Sequence, residues 1–420
     1  MHSKTRVQGT LAALLLLPLS TLAASELDLA AAERLALEED VTAPRHEALA
    51  EARREQAVAE ESLPDPRLKL GALNLPTDTF SRTQEGMTQL AVGVQQAFPP
   101  GDTLKLRGQQ AQVLARVEEA RARALRLAVL RDARERFLDV YYQVEAGHIV
   151  DESRELFRQL LDITRAHYAA GRKNQQDVLR ASVELGLLDD RRTRIRTAEE
   201  RARAALARLI GQGAAYRPVA RSFPRLPPVP DEARLAAAIE SHPAVRAAMA
   251  QVEAGQIAVD VERQRYKPGW MLDLTYGNRA GYNPDGSDRS DFLSAMVTVD
   301  LPLFTGNRQD RYVARRQKEV EAARLNRDDV YLRLMRQLKA DHAEWLRLKE
   351  RVALYHQTIV PEAEQNAEAS LAAYQAGVTD FTGLMRARLT ELDAHLTALR
   401  LRVDQAKAQA RLIYLSGDDS

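Results

Sequence analysis

Between Leu104 and Tyr168 the chain has no proline, and its only glycines there are Gly108 and Gly147. Leu127, Leu130, Phe137, Tyr141 and Val144 step by threes, a four and a seven, which sets one apolar seam on a helix. Roughly 65 residues rising 1.5 Å each make a rod of roughly 100 Å, longer than a single globular core needs. Such a rod has to lie against other rods. Arg308 to Ala373 repeats the pattern, with Leu334, Leu338, Trp345, Leu348, Val352, Tyr355 and Ile359 in a near-heptad rhythm that predicts a left-handed supercoil with a neighbour. Pro361 falls inside this run, where a kink is expected rather than an end.

Composition agrees with long helices: 28% of residues are charged and only 5% aromatic. Lys and Arg number 60 against 59 Asp and Glu, without the basic excess of a nucleic-acid binder. Lys4 and Arg6, the apolar Leu11 to Leu17 and the small-residue end Thr21-Leu22-Ala23 have the layout of a signal peptide over residues 1–23, with cleavage after Ala23 or Ala24. No other stretch approaches about twenty apolar residues, so no transmembrane helix is expected. The exported chain has no cysteine, hence neither disulfides nor a lipid-anchored N-terminal Cys.

Each long run stops at the same kind of break. "HYAAGRKNQQDVLRA" from His167 and "AYQAGVTDFTGLMRA" from Ala373 share Tyr168/Tyr374, Gly171/Gly377 and Arg180/Arg386. The glycines sit where a helix takes a left-handed C-terminal residue, and Asn174 and Asp380 where the next takes its N-cap. Both segments are expected to be tight turns between antiparallel helices, over 169–174 and 374–379, followed by helices over 175–211 and 380–416.

Upstream of each long helix (104–168 and 308–373) lie two strand candidates. Leu68, Leu70 and Ala72, then Leu90, Val92 and Val94, alternate with small or polar residues within a hairpin over 66–98. Trp270, Leu272, Leu274 and Tyr276, then Leu293, Ala295, Val297, Val299 and Leu301, do so within 268–303. Alternation of this kind is the signature of a transmembrane β-strand. A shorter helix begins near Pro44 before the first hairpin and near Pro243 before the second. The order helix, two strands, long helix, turn, helix therefore occurs twice, over 24–211 and 231–420, around a Pro-rich connector over 212–230. Four strands cannot close a barrel, and an open sheet in lipid leaves unpaired edges, so several chains must pool their strands.

With its twofold order, its Pro/Gly strand exits at Pro99–Gly101 and Pro302–Gly306 and "IVPEAEQNAEASLAAYQAG" from Ile359, the chain resembles the TolC-type outer membrane efflux proteins. The resemblance implies a fold that is mainly α with membrane β. It implies a homotrimer, with a twelve-stranded barrel in outer-membrane lipid continued by a long periplasmic α-helical barrel. It also implies two partners: a periplasmic adaptor (membrane fusion protein) and an inner-membrane RND-type pump. The breaks would be periplasmic tips that dock the adaptor through Tyr168, Gly171, Arg172, Tyr374, Gly377, Val378 and Thr379. TolC-like entrances often carry carboxylates past the second tip glycine. Here those positions are Gly383 and Arg386, which cannot make an acidic ring. Asp177 does match a family Asp, leaving Asp177, Asp380 and Arg386 as candidate gate residues. The exit "QQAFPPGDTLKLRGQQ" is close in style to those of heavy-metal efflux members and favours cation export. Drug or solvent efflux, a type I secretion duct and, from another class, a soluble periplasmic coiled-coil scaffold stay open.

No phosphate loop, dinucleotide turn or nucleophile elbow occurs, and none of the eight His forms an HExxH pattern. Neither a catalytic residue, a metal site nor a cofactor is expected. A channel works by lumen width and lining charge.

Overall fold

A computed structural model of the chain describes residues 26–171 and 174–418. The signal-peptide segment and Arg172 therefore lie outside the described residues. The first half runs α1 (Leu29–Glu38), α2 (Thr42–Glu61), β1 (Arg67–Leu73), β2 (Gln89–Phe98), α3 (Thr103–Ala169), α4 (Gln175–Ile210) and the single turn α5 (Gln212–Ala215). The second half runs α6 (Glu232–Ser241), α7 (Pro243–Gln264), β3 (Trp270–Asn278), β4 (Phe292–Val299), α8 (Gln309–Leu354), α9 (Val360–Gln375) and α10 (Phe381–Ser416). The molecule is mainly helical with one small antiparallel sheet.

The seam of α3 is buried at Leu127, Leu130, Phe137 and Tyr141. Its middle packs with α1 and the end of α4 around Phe137, Leu138, Leu206 and Ile210. There Leu27 makes a parallel bridge to Val219, which ties the start of the described chain to the connector. The connector is held to the rods as well: the Tyr141 hydroxyl donates to the Arg221 carbonyl (3.1 Å), and the Gln409 side-chain amide donates to the Pro227 carbonyl (2.6 Å). In the second half, Leu235 and Ile239 of α6 pack with Leu334 and Leu338 of α8 and Leu412 and Leu415 of α10.

Two short helices, α1 and α6, precede the ones expected near Pro44 and Pro243. Each starts at an aspartate N-cap: Asp28 accepts from the Ala31 N–H and Asp231 from the Arg234 N–H. Between α6 and α7 stands His242, fully buried. Its Nδ1 accepts from the Ala244 N–H and its Nε2 donates to the Tyr414 carbonyl, both at 3.2 Å, so one neutral tautomer satisfies both partners. Burial pushes this imidazole below its ordinary pKa, against the pull of the Tyr414 carbonyl.

Pro361 does not end the second rod. A π-helical turn, Tyr355–Ile359, joins α8 to α9, and Pro361 lies in the first turn of α9. Proline has no N–H and its ring crowds the carbonyl four residues back, so a widened turn just before it absorbs the mismatch. The expected alternation of the last strand through Leu301 is cut short as well: pairing stops at Val299. Pro302 has no N–H to extend a ladder.

The sheet has the order β1-β2-β3-β4, antiparallel throughout, so the two hairpins are joined at β2 and β3. Its register aligns every alternating set on a single face. Leu68 pairs with Val94, Val94 with Leu274 and Leu274 with Ala295; one row on, Leu70, Val92, Tyr276 and Leu293 follow one another. This face is bare: Leu70 is 75% exposed and Leu293 81%. The opposite face carries Arg67, Lys69, Gln95, Asp273, Thr275 and Ser294. β1 and β4 are the open edges.

Candidate functional site

Two regions present what the rest of the chain leaves unused: the sheet at one end and the paired helical turns at the other. On the sheet, the polar face is organised around Asp273, whose side chain is almost fully buried. Its carboxylate accepts from Lys69 Nζ on β1, Thr275 Oγ1 (2.8 Å) and Gln95 Nε2 (3.4 Å). Three strands are thereby clasped on the side away from the apolar residues. Gly93 lies at the centre of this face, and a Cβ there would stand 2.4 Å from Thr275 Oγ1 and 2.8 Å from the Leu274 carbonyl oxygen. Only glycine lets β2 and β3 approach so closely. Sequence spacing gave no hint of the clasp, because its members lie about two hundred residues apart.

The apolar face ends in a pair of stacked rings, Phe98 and Trp270, with centroids 3.9 Å apart. Aromatic side chains at strand ends suit the boundary between hydrocarbon and water. Among the described residues no helix is long and apolar enough to cross a membrane, which has no bearing on the strands.

At the far end of the rods, Gly171 and Gly377 both stand at φ +73°. The Gly171 N–H donates to the Tyr168 carbonyl (2.9 Å) and the Gly377 N–H to the Tyr374 carbonyl (3.1 Å). A Cβ on either glycine would touch nothing within 4 Å, so the requirement is one of backbone conformation alone. The Asp380 carboxylate caps α10 by accepting from the Gly383 N–H at 2.8 Å, whereas Asn174 makes no side-chain cap bond.

The two turns differ in their surroundings. Tyr374 is 5% exposed, stands edge-on to Phe381 at 5.7 Å and shares a hydrogen bond with Thr164 on α3. Burial pushes its hydroxyl above the ordinary tyrosine value; the Thr164 bond opposes this and the Asp177 charge adds to it. Tyr168, the matching residue of the first turn, is 47% exposed, and Val378 is 81% exposed. Both turns rest on one apolar cluster that takes Phe157, Leu160 and Leu161 from α3 and Tyr374, Phe381 and Leu384 from the second hairpin. Arg180 of α4 also donates to the Thr382 hydroxyl of α10. The hairpins therefore stand side by side as one tip.

Of the candidate gate residues, half-buried Asp177 is near enough for its charge to act on the Tyr374 hydroxyl. Asp380 is used as a helix cap and Arg386 is exposed. Arg388, two residues on, had no prominence in the sequence. It is 6% exposed and bridges Glu368 (2.8 Å) on α9 and Glu391 (3.0 Å) on its own helix, below the turn. Among the described residues no group of three His, Cys, Asp or Glu is placed to hold a metal ion.

Residues 235–418 match the model of a family described as outer membrane efflux protein. Over 349 residues the chain is 24% identical to the cobalt-zinc-cadmium resistance protein CzcC of Cupriavidus metallidurans, covering 80% of this chain and 77% of that one. Its fold is similar to that of the outer membrane protein VceC of Vibrio cholerae, with a TM-score of 0.77 and 18% identity over 93% of this chain and 96% of the other. It is similar also to CusC, which forms a transmembrane channel, with a TM-score of 0.75 and 13% identity over 94% of this chain and 92% of that one. At such identities the structural likeness is one of fold.

Proposed function

We propose that this chain, which belongs to the outer membrane efflux protein family, is the outer-membrane exit duct of a tripartite efflux system with heavy-metal cations as its cargo. The observation that carries the reading is the four-stranded sheet, apolar and bare on one face, polar on the other and open at both edges. In lipid an open edge leaves several backbone groups unpaired, each at a cost of several kcal/mol, so edges must meet edges. Three copies of four strands make twelve, enough for a barrel with a water-filled interior, whereas a lone sheet is not. The homotrimer would place the apolar face in outer-membrane lipid and the Asp273 clasp towards the lumen.

The rods then continue the barrel as a periplasmic tube. Their tips, exposed at Tyr168 and Val378, would dock a periplasmic adaptor that links the duct to an inner-membrane RND-type pump. The duct would be passive, with the driving energy supplied by the pump. Asp177 is the gate carboxylate of this reading, since Gly383 and Arg386 offer none and Asp380 caps α10. The metal cargo is supported by the CzcC relationship over most of both chains.

Deleting the gene from its host tests this directly. Zinc, cobalt and cadmium resistance should fall, return with the wild-type gene, and leave drug and solvent resistance unchanged. A drug-sensitive, metal-resistant deletion strain would reassign the cargo. A protein that leaves the membrane fraction with salt would instead favour a soluble scaffold.

A further inference from the structure

We propose that the cavity beneath the strand exits binds the headgroup of an anionic phospholipid, an inference that rests on reading the sheet's apolar face as lipid-facing. The cavity, about 610 Å³, opens where β2, β3 and β4 give way to α3, α7 and α8. Its lining carries the cations Arg107, Arg265, Lys267 and Arg308 against one carboxylate, Asp300. The cations are unequally occupied. Arg265 is bonded to Glu262 at 2.9 Å, while Lys267 and Arg107 stand at longer range from their acids, 3.5 Å from Asp102 and 3.7 Å from Glu60. Arg308 is in no ion pair with a described residue. Two of the four are thus loosely held and a third is unclaimed.

The wall also holds an unmet hydrogen-bond acceptor. Gln309 is 3% exposed, and its Oε1 is sealed from water without a donor among the described residues. A buried carbonyl left unpaired is unfavourable, so turning the Gln309 side chain toward the cavity, where a donor from outside the chain can reach it, is favoured. Gln309 is also the first residue of α8, where the helix dipole attracts negative charge.

The surroundings select a lipid rather than a free anion. Leu303 and Phe304, beside the cavity in the β4–α8 link, are 72% and 90% exposed, and the Phe98–Trp270 stack lies at the same strand ends. The cavity therefore falls at headgroup depth, where basic side chains meet phosphate and apolar ones meet acyl chain. Phosphatidylglycerol has the matching chemistry: a phosphodiester for Arg308 and Lys267, hydroxyls to donate to Gln309 Oε1, and chains for Leu303 and Phe304.

Native mass spectrometry of the detergent-purified assembly, with lipids of identical chains added, reads this out. Phosphatidylglycerol should be retained about tenfold more strongly than phosphatidylcholine. Arg308→Gln alone should weaken that preference and Arg308→Gln/Lys267→Gln abolish it, while Arg324→Gln, on an exposed face of α8 further from the strand exits, leaves it intact. Equal retention of the two lipids, an unchanged preference in the double variant, or displacement of the lipid by millimolar inorganic phosphate would overturn the proposal. A double variant that does not assemble leaves the decision to the single one, which removes no ion pair. The duct reading fails separately, if the wild-type protein does not fractionate with the outer membrane.

Discussion

Arginine in place of Val92 is expected to stop the protein from entering the outer membrane, while arginine in place of Ser294 lets it enter. Val92 stands in the middle of the bare row formed with Leu70, Tyr276 and Leu293. A guanidinium on the lipid face of a barrel costs about 2–4 kcal/mol at mid-depth, and a symmetric assembly meets that cost once per copy. Ser294 lies in the row of Lys69, Gly93 and Thr275, on the face with the Asp273 clasp, where water is expected in a closed barrel. Outer-membrane fractionation and heat-modifiable gel migration of the two variants make the comparison. If both insert, or neither does, the two faces have been assigned wrongly.

Valine in place of Gly171 or Gly377 should remove efflux and leave membrane insertion untouched. A left-handed backbone at φ +73° costs an L-residue about 1–2 kcal/mol, and more when it is β-branched, so each turn should open or shift. Nothing lies within 4 Å of the added Cβ, so no core contact is lost and the rods should stay packed. Gly286 supplies the control. It has φ +83° and equally empty surroundings, but it belongs to the β3–β4 loop at the opposite end. Gly286→Val carries a similar local strain and should keep efflux, as read by metal resistance of the complemented strain. Full resistance in both tip variants would remove the turns from the docking surface.

Much of this architecture could be read from spacing. The seam through Leu127, Phe137 and Tyr141 depends only on helical period, and the exposed face through Leu90, Val92 and Val94 only on a period of two; both are local properties. The left-handed glycines were equally local. What escaped had other causes. Helices α1 and α6 are short and Ala-rich, and their clearest signs were the caps Asp28 and Asp231, two aspartates among many acids. The π-helical turn before Pro361 is a compromise between proline sterics and packing along the rod, which no periodicity encodes. The Lys69–Asp273 clasp and the Arg388 bridge between Glu368 and Glu391 depend on which strands and helices become neighbours. The matching turns conceal a difference too: Tyr168 and Tyr374 align in sequence, yet one is half exposed and the other buried beside Thr164. Phe381, against which Tyr374 stands edge-on, follows the second turn where Gln175 follows the first.

On the proposed reading one chain cannot complete the membrane structure, and copies close it together. Counting chains in the particle extracted from the outer membrane, by its mass in detergent with the detergent removed in the gas phase, tests this most directly. Three chains and no smaller inserted species are expected, since on the proposed reading the open β1 and β4 edges pair between copies. A stable inserted particle of a single chain, with amide protons on β1 and β4 exchanging freely, would contradict it.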